Sequence, residues 1–383
     1  MRTDLTPAER AYRDRLCAFL SAELTPAARA AHDDPDELLG WSTAFARAFQ
    51  RRLGAAGFIG VDWPPEYGGQ GLKGAFHSVL VRELEYHRAP NLDSGTLSYL
   101  PHAILRFCSD AQKRMLLPRL ARGEIGLFTG YSEPEAGSDL ANLSLRATSQ
   151  GDLFVLRGQK AFSSGARAAD FGWVAARTDP DAPKHRGISL FIVDLHQPGI
   201  TITSSRTVGG WLHDAVYFDD VVVPRDHLVG ALNEGWRMIM AAIDTERAVL
   251  ASPGALEIAF DLLLAHLPDD DVARERAAAL AIDVEATRLA GHWLDDLRAG
   301  SEGPLPESAL ALLLKRETLR AVEATALDLL GVPATLARGA PGALLDGLFQ
   351  QDDRDHLYFH FAAGGFDVTR NVIATRLLDL PRA

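Results

Sequence analysis

Residues 130–139 read GYSEPEAGSD. Two hydroxyls, Ser132 and Ser138, two glycines and a Pro-Glu turn fall within this one loop. A segment of this kind offers backbone N–H groups and small donors to a polar ligand that must come close to the main chain. Pro134 fixes one φ angle, so the loop is partly pre-shaped. By chemistry alone it suits a polar heterocycle or a phosphate; a hydrophilic connection between domains is the plainer reading.

The texture of the chain changes on either side of this loop. Residues 1–125 read as helices: Thr6-Pro7 is an N-cap and N1 pair, Leu16, Phe19, Leu20 and Leu24 share a helical face, and Asp110 is expected to cap the helix carrying Met115 to Leu120. Residues 126–225 hold short apolar runs, at 153–156, 173–176, 188–193 and 215–218, separated by Gly, Pro and Asp. That pattern predicts a small antiparallel β-domain. Residues 226–383 return to long helical patterns, one opening at Asp269-Asp270-Asp271 and closing near Gly300, another from Pro304 to Leu330 ended by Gly331 and Pro333. The expected fold class is mostly α with a small central antiparallel β-domain.

Composition narrows the function. The chain has 383 residues, 47% hydrophobic and 23% charged, with 39 Lys+Arg against 51 Asp+Glu and a net charge of −12. This argues against nucleic acid or an anionic membrane as the main partner, while leaving room for a local basic groove. Cys17 and Cys108 are too few for a disulfide framework or a four-cysteine zinc site. The N-terminus MRTDLTPAER lacks a signal-peptide core, and no apolar run is expected to span a membrane, so a cytoplasmic, reducing location is expected.

GYSEPEAGSD, then GQKAFSSGA at 158–166, FDDVVVP at 218–224 and TRNVIATRLLDLP at 369–381, fall in the order and spacing of the acyl-CoA dehydrogenase family, which the chain resembles over almost its whole length. The resemblance implies a helical domain, a β-domain and a C-terminal four-helix bundle, and FAD as cofactor. It places Thr129, Tyr131 and Ser132 along the pyrimidine side of the flavin and Ser138 toward the pyrophosphate. Lys160 aligns with a family lysine. That puts Phe162 at the aromatic position beside the flavin and Ser164 at the hydroxyl bonding N5, the atom that gains electron density.

The reaction implied is α,β-dehydrogenation of an acyl thioester, with reduced flavin passing electrons to an electron-transfer flavoprotein. Removing an α-proton needs a carboxylate whose pKa is raised by a dry pocket. Many family members carry it seven residues before the arginine matching Arg370; that position here is Ala363. A second family arrangement puts the base on a helix just before an arginine, and Glu246 in Asp244-Thr245-Glu246-Arg247 fills that slot. Asp244 and Arg247 match residues near the pantetheine arm, and the Ala363 N–H matches an oxyanion donor. Small residues from Ala362 to Gly365 suit a branched or bulky acyl group.

Two motifs read as decoys. Gly69 to Gly74 satisfies G-x-G-x-x-G but follows WPPEYG rather than a strand. His356 and His360, near Asp352 and Asp353, read as a helix-surface pair rather than a metal site, and no metal is expected.

Besides Ala363 in place of the glutamate, the chain departs from the family pattern at Gly365, where the family has a threonine, and in the cation offered to a neighbour. The arginine that reaches across a dimer to the neighbour's FAD pyrophosphate is missing, with no Lys or Arg between Arg247 and Arg274. This implies a paralogous partner subunit in a heterodimer or heterotetramer, resembling the catalytic-type subunits of actinobacterial heteromeric steroid side-chain enzymes. A homo-oligomer, with Arg274 or Arg276 supplying the cation, is the alternative. Three other functions stay open: the same chemistry on a carrier-protein thioester, a flavin monooxygenase, and a non-catalytic subunit completing a paralogue's flavin site.

Overall fold

A computed structural model describes residues 4–34, 37, 40–90, 99–300, 305–362 and 364–381. Six helices come first: α1 (Pro7–Glu23), α2 (Pro26–Ala31), α3 (Thr43–Ala55), α4 (Phe76–Tyr86), α5 (Leu100–Phe107) and α6 (Asp110–Ala121). Thr6 begins α1 with a reciprocal capping box to Glu9, worth about 1 kcal/mol. Leu16 and Leu20 are fully buried on its inner face. The cap of α6 is Ser109, bonded reciprocally with Gln112, and not the expected Asp110: the serine hydroxyl lies one residue outside the helix, where it can reach back to the third amide. The G-x-G-x-x-G stretch is a turn after a short 3₁₀ segment at Pro65–Tyr67, with no strand before it.

Eight strands follow: β1 (Leu127–Gly130), β2 (Arg146–Gln150), β3 (Leu153–Lys160), β4 (Phe171–Arg177), β5 (Ile188–Asp194), β6 (Ile200–Arg206), β7 (Leu212–Pro224) and β8 (Leu228–Val229). They pair in the order β6-β7-β3-β2-β4-β5-β8, with β1 also on β4. Pairing is antiparallel except where β4 meets β1 and β2 in parallel. All four apolar runs in the sequence lie in β3, β4, β5 and β7. Successive strand residues face opposite sides. Trp173, Ala175, Leu190 and Ile192 therefore join the core shared with the N-terminal helices. Val174, Ala176, Phe191 and Val193 join a second core on the other face. Burial on both faces explains why β4 and β5 read as unbroken apolar runs rather than alternating ones.

The last part contains α7 (Gly235–Leu250), α8 (Gly254–Ala265), α9 (Asp271–Gly300), α10 (Glu307–Leu330), α11 (Val332–Thr335), α12 (Leu348–His356) and α13 (Phe366–Val372). One stretch, Gly235–Ala265, is long and apolar enough to cross a membrane by length and composition, with a hydropathy of 1.6. The stretch is broken at Ser252-Pro253, and it buries Met238 and Ile239 against the N-terminal core and Leu256 and Leu263 in the bundle. Helix α7 thus belongs to both helical layers and carries the candidate base between them.

Candidate functional site

The loop after β1 is held from beneath. Lys160, fully buried at the end of β3, donates to the Tyr131 carbonyl at 3.0 Å and to Glu133 Oε1 at 2.8 Å. Glu133 also accepts from Ser144 N (2.6 Å), Ser144 Oγ (2.8 Å) and Leu145 N (2.9 Å). Burial alone would raise the Glu133 pKa; the ammonium and these donors outweigh it and hold the carboxyl low. Burial draws Lys160 down to about 8, against the pull of Glu133.

The expected flavin residues lie at the end of β1, in the loop after it and in the segment after β3. Thr129 Oγ1 is 2.5 Å from the Tyr99 hydroxyl. Tyr131 is buried, and its hydroxyl accepts from Trp173 Nε1 at 3.0 Å. Ser132 accepts at its carbonyl from Ala161 N at 2.9 Å, which ties the loop to the segment carrying Phe162 and Ser164. Ser138 sits on the exposed outer turn, beside Asp139, which pairs with Lys184 at 2.9 Å. Phe162 has φ +54° and a ring 67% exposed. A left-handed backbone at a bulky residue costs on the order of 1–3 kcal/mol and is held only where its surroundings require it. Ser164 Oγ lies 2.8 Å from His213 Nδ1.

Helix α7 carries Asp244, Glu246 and Arg247. Arg247 donates to Asp244 at 3.0 Å, and Arg376 lies 4.0 Å from the other Asp244 oxygen. Glu246 is pushed up to about 7 by burial, with Arg247 and Arg316 opposing. Its charge in turn helps raise the phenols of Tyr131 and Tyr358, after their own burial. Glu246 is thus close enough for its charge to act on Tyr131, in the loop after β1, and on Tyr358, beside Arg316 of α10. Arg316, buried in α10, donates to the carbonyls of Ala362 (3.0 Å) and Gly364 (3.3 Å). Ala363 itself lies outside the described residues. Gly364 has φ +73°, and a Cβ at Gly365 would sit 2.2 Å from the His360 carbonyl, so this chain has no room for a side chain there.

Residues 6–124, 129–221 and 233–378 match, in order, the N-terminal, middle and C-terminal domains of acyl-CoA dehydrogenases. The chain is 33% identical over 401 residues to acyl-CoA dehydrogenase FadE26 of Mycobacterium tuberculosis (strain ATCC 25618 / H37Rv), with 100% of both covered. It belongs to the acyl-CoA dehydrogenase family. Similarity to acyl-CoA dehydrogenase FadE29 of the same organism is 33% over 394 residues, covering 100% of this chain and 99% of the relative. Among solved structures, a steroid acyl-CoA dehydrogenase, Tcur3481-Tcur3483, superposes with a TM-score of 0.92 at 32% identity, with 100% of both chains covered. The ChsE4-ChsE5 complex from Mycobacterium tuberculosis superposes with a TM-score of 0.90 at 31% identity, again covering 100% of both.

The chain is thus an FAD-dependent oxidoreductase acting on CH–CH bonds. The residues present fit an acyl-CoA dehydrogenase flavin: Phe162 is open to solvent, and Trp211 Nε1 is buried without a hydrogen-bond partner among the described residues. His213 links the two, 6.2 Å from Phe162 and 4.4 Å from Trp211 by ring centroids.

Other expectations change. His356 is not on a helix surface; it is largely buried against Glu323, because α12 packs on α10. Arg274 pairs with Asp269 and, at 2.7 Å, with Asp271; Arg276 pairs with Asp328 at 3.1 Å. Cys17, Glu83 and His87 bring potential metal-ligand atoms within 4.8 Å of one another. Arg13 already occupies Glu83 at 2.5 Å, and burial pushes the Cys17 thiol up to about 11, so the group reads as structural. Sequence reasoning missed Tyr99, His213, Arg316 and Tyr358. Arg316 had a signal, a charge within the apolar run ALALLLKRETL of α10.

Proposed function

We propose that this chain is the catalytic subunit of a heteromeric acyl-CoA dehydrogenase that introduces an α,β double bond into a branched or bulky acyl thioester. What carries the reading is Glu246 on α7, a carboxyl that burial pushes up to about 7, next to Arg247 and close enough for its charge to act on the Tyr131 phenol. Glu246 takes the α-proton; a base poised near the working pH suits that transfer. When bound, FAD accepts the β-hydrogen as hydride. Thr129, Tyr131, Ser132, Phe162 and Ser164 would hold its ring system, and Ser138 its pyrophosphate end. Asp244 and Arg247 would position the pantetheine arm. The thioester carbonyl would meet the Ala363 N–H, whose two flanking carbonyls Arg316 fixes. Electrons leave to an electron-transfer flavoprotein in the cytoplasm.

The heteromeric part of the proposal rests on charge. A pyrophosphate held partly out of water is best met by an arginine fork. Residues 248–273 contain no Lys or Arg, and Arg274 and Arg276 are engaged with aspartates. A paralogous partner carrying the arginine would complete this chain's site. The test is to purify the chain alone and co-expressed with a paralogue, measure FAD per protomer, and follow flavin bleaching by straight-chain and ring-bearing thioesters. Yellow, active enzyme only in the co-expressed sample, bleached faster by bulky thioesters, is expected. One FAD per chain in an active homodimer would overturn the heteromeric reading.

A further inference from the structure

His213 stands beside Ser164, the serine proposed to meet the flavin, and nothing in the function proposed above uses it. It lies on β7, the strand that runs alongside β3. Its Nδ1 is 2.8 Å from Ser164 Oγ. The ring is packed against Trp211 (centroids 4.4 Å apart), Tyr358 (5.5 Å) and Phe162 (6.2 Å, 88° between planes).

A serine hydroxyl has one hydrogen and two lone pairs. Shared with an imidazole nitrogen, it has two states. If Ser164 donates to Nδ1, its hydrogen is used up and it offers only lone pairs outward. If Nδ1–H donates to Ser164, the hydroxyl hydrogen is free to point away from β7. The tautomer of one histidine therefore decides whether Ser164 is a donor or an acceptor on its open side.

We infer that His213 is a positioning residue that keeps Ser164 a hydrogen-bond donor toward the flavin, by holding its own proton on Nδ1. The inference rests on the placing of Ser164 at the flavin and deepens it. The packed faces keep the imidazole plane aligned with Oγ, so the orientation survives without a charge on the ring. Asp214, the next residue on β7, does not compete: its carboxylate accepts from Arg167 (2.9 Å) and Ser204 (2.6 Å). The groups facing His213 are Asp214 on its own strand, Arg167 on the turn after Gly165, and Tyr358 from the C-terminal part. Burial lowers the histidine pKa, Asp214 opposes this and Arg167 adds to it, which favours the neutral ring. On acidification Nδ1 keeps its proton and the ring gains a positive charge beside the flavin. The sign follows: the flavin becomes easier to reduce as pH falls through the histidine pKa, beyond the slope set by the flavin's own protons.

The test uses holoenzyme co-expressed with its partner. His213→Asn keeps an amide donor near the position of Nδ1; His213→Phe keeps the packing and removes the donor. Rates of thioester bleaching, FAD per protomer, and the flavin reduction potential from pH 5.5 to 8 are measured for each, beside Ser164→Ala. The Phe variant is expected to bleach roughly ten-fold more slowly, in line with one lost hydrogen bond of about 1.4 kcal/mol. Its KM should be unchanged, and the Asn variant should stay within about three-fold of wild type on the same scale. Both variants should lose the extra pH slope of the potential. If Ser164→Ala changes rate and potential while both His213 variants match wild type at every pH, the inference fails and the site reading stands. If Ser164→Ala is itself silent, the placing of Ser164 fails and the inference with it. Should the Phe variant not fold, an Asn variant that keeps the wild-type pH slope overturns the inference by itself.

Discussion

Lys160 and Glu133 meet at 2.8 Å with their side chains 0% and 4% exposed. They pin the loop after β1 to the end of β3, and the same ammonium holds the Tyr131 carbonyl. Removing one member of such a pair leaves the other charge buried, which costs far more than the intact pair contributes. We expect Lys160→Met to destabilise the chain by about 3–5 kcal/mol, read from urea midpoints. The double change Lys160→Met, Glu133→Leu should recover part of that loss. A single variant as stable as wild type would mean that the loop has another anchor.

Glu246→Gln should keep bound flavin and lose thioester-dependent bleaching by at least about 10²–10⁴-fold, the usual contribution of a general base. Stopped-flow absorbance on the co-expressed enzyme decides this. An unchanged bleaching rate would place the base elsewhere.

The pH dependence has a definite sign. Glu246 works as a base only when ionised, so the rate of flavin reduction should fall below about pH 7, its folded-state pKa. Stability moves the other way. A carboxyl whose pKa is raised on folding is fully stabilising below its unfolded value of 4.5, and that contribution is lost as pH rises through about 7. Glu246→Gln should therefore be more stable than wild type at pH 8, by at most about 3 kcal/mol, and no different below pH 4.5. Thermal melts of the two proteins across that range would show the gap open or stay closed.

Arg316→Met should slow turnover through two separable routes. It frees the carbonyls on either side of residue 363, each held by a charged donor worth about 1.5–3 kcal/mol. It also removes a positive charge that lowers the Glu246 pKa, so the acid limb of the rate profile should shift to higher pH. Arg316→Lys keeps the charge and loses the fork, so it should slow the reaction without moving the limb. Coincident profiles for all three proteins would remove Arg316 from the site.

Much of the layout was legible because it rests on local rules. Thr6-Pro7 marked a helix start, and the runs at 173–176 and 188–193 marked strands, since propensity, capping and burial agree there. Glu246 could be singled out because it stands beside Arg247 in a recognisable order. What could not be read is contact between distant segments. Arg316 serves carbonyls 46 and 48 residues away, and His213 serves a hydroxyl 49 residues away. Each pairing depends on how β7 and α10 dock, and no local pattern encodes that. The Ser109 cap was missed for a smaller reason: Ser and Asp are adjacent, both are good caps, and only helix phase separates them.

The way α7 straddles both helical layers has a consequence for how such enzymes diversify. The residues proposed for the flavin lie between Thr129 and Ser164, all inside the sheet-bearing segment, whereas Glu246, Arg316 and the Ala362 and Gly364 carbonyls that it holds lie after it. Cofactor tuning and acyl choice are thus written in separate stretches of the gene. Recombination between paralogues near residue 230 could exchange one without rewriting the other, provided that α7 still docks on the sheet through β5.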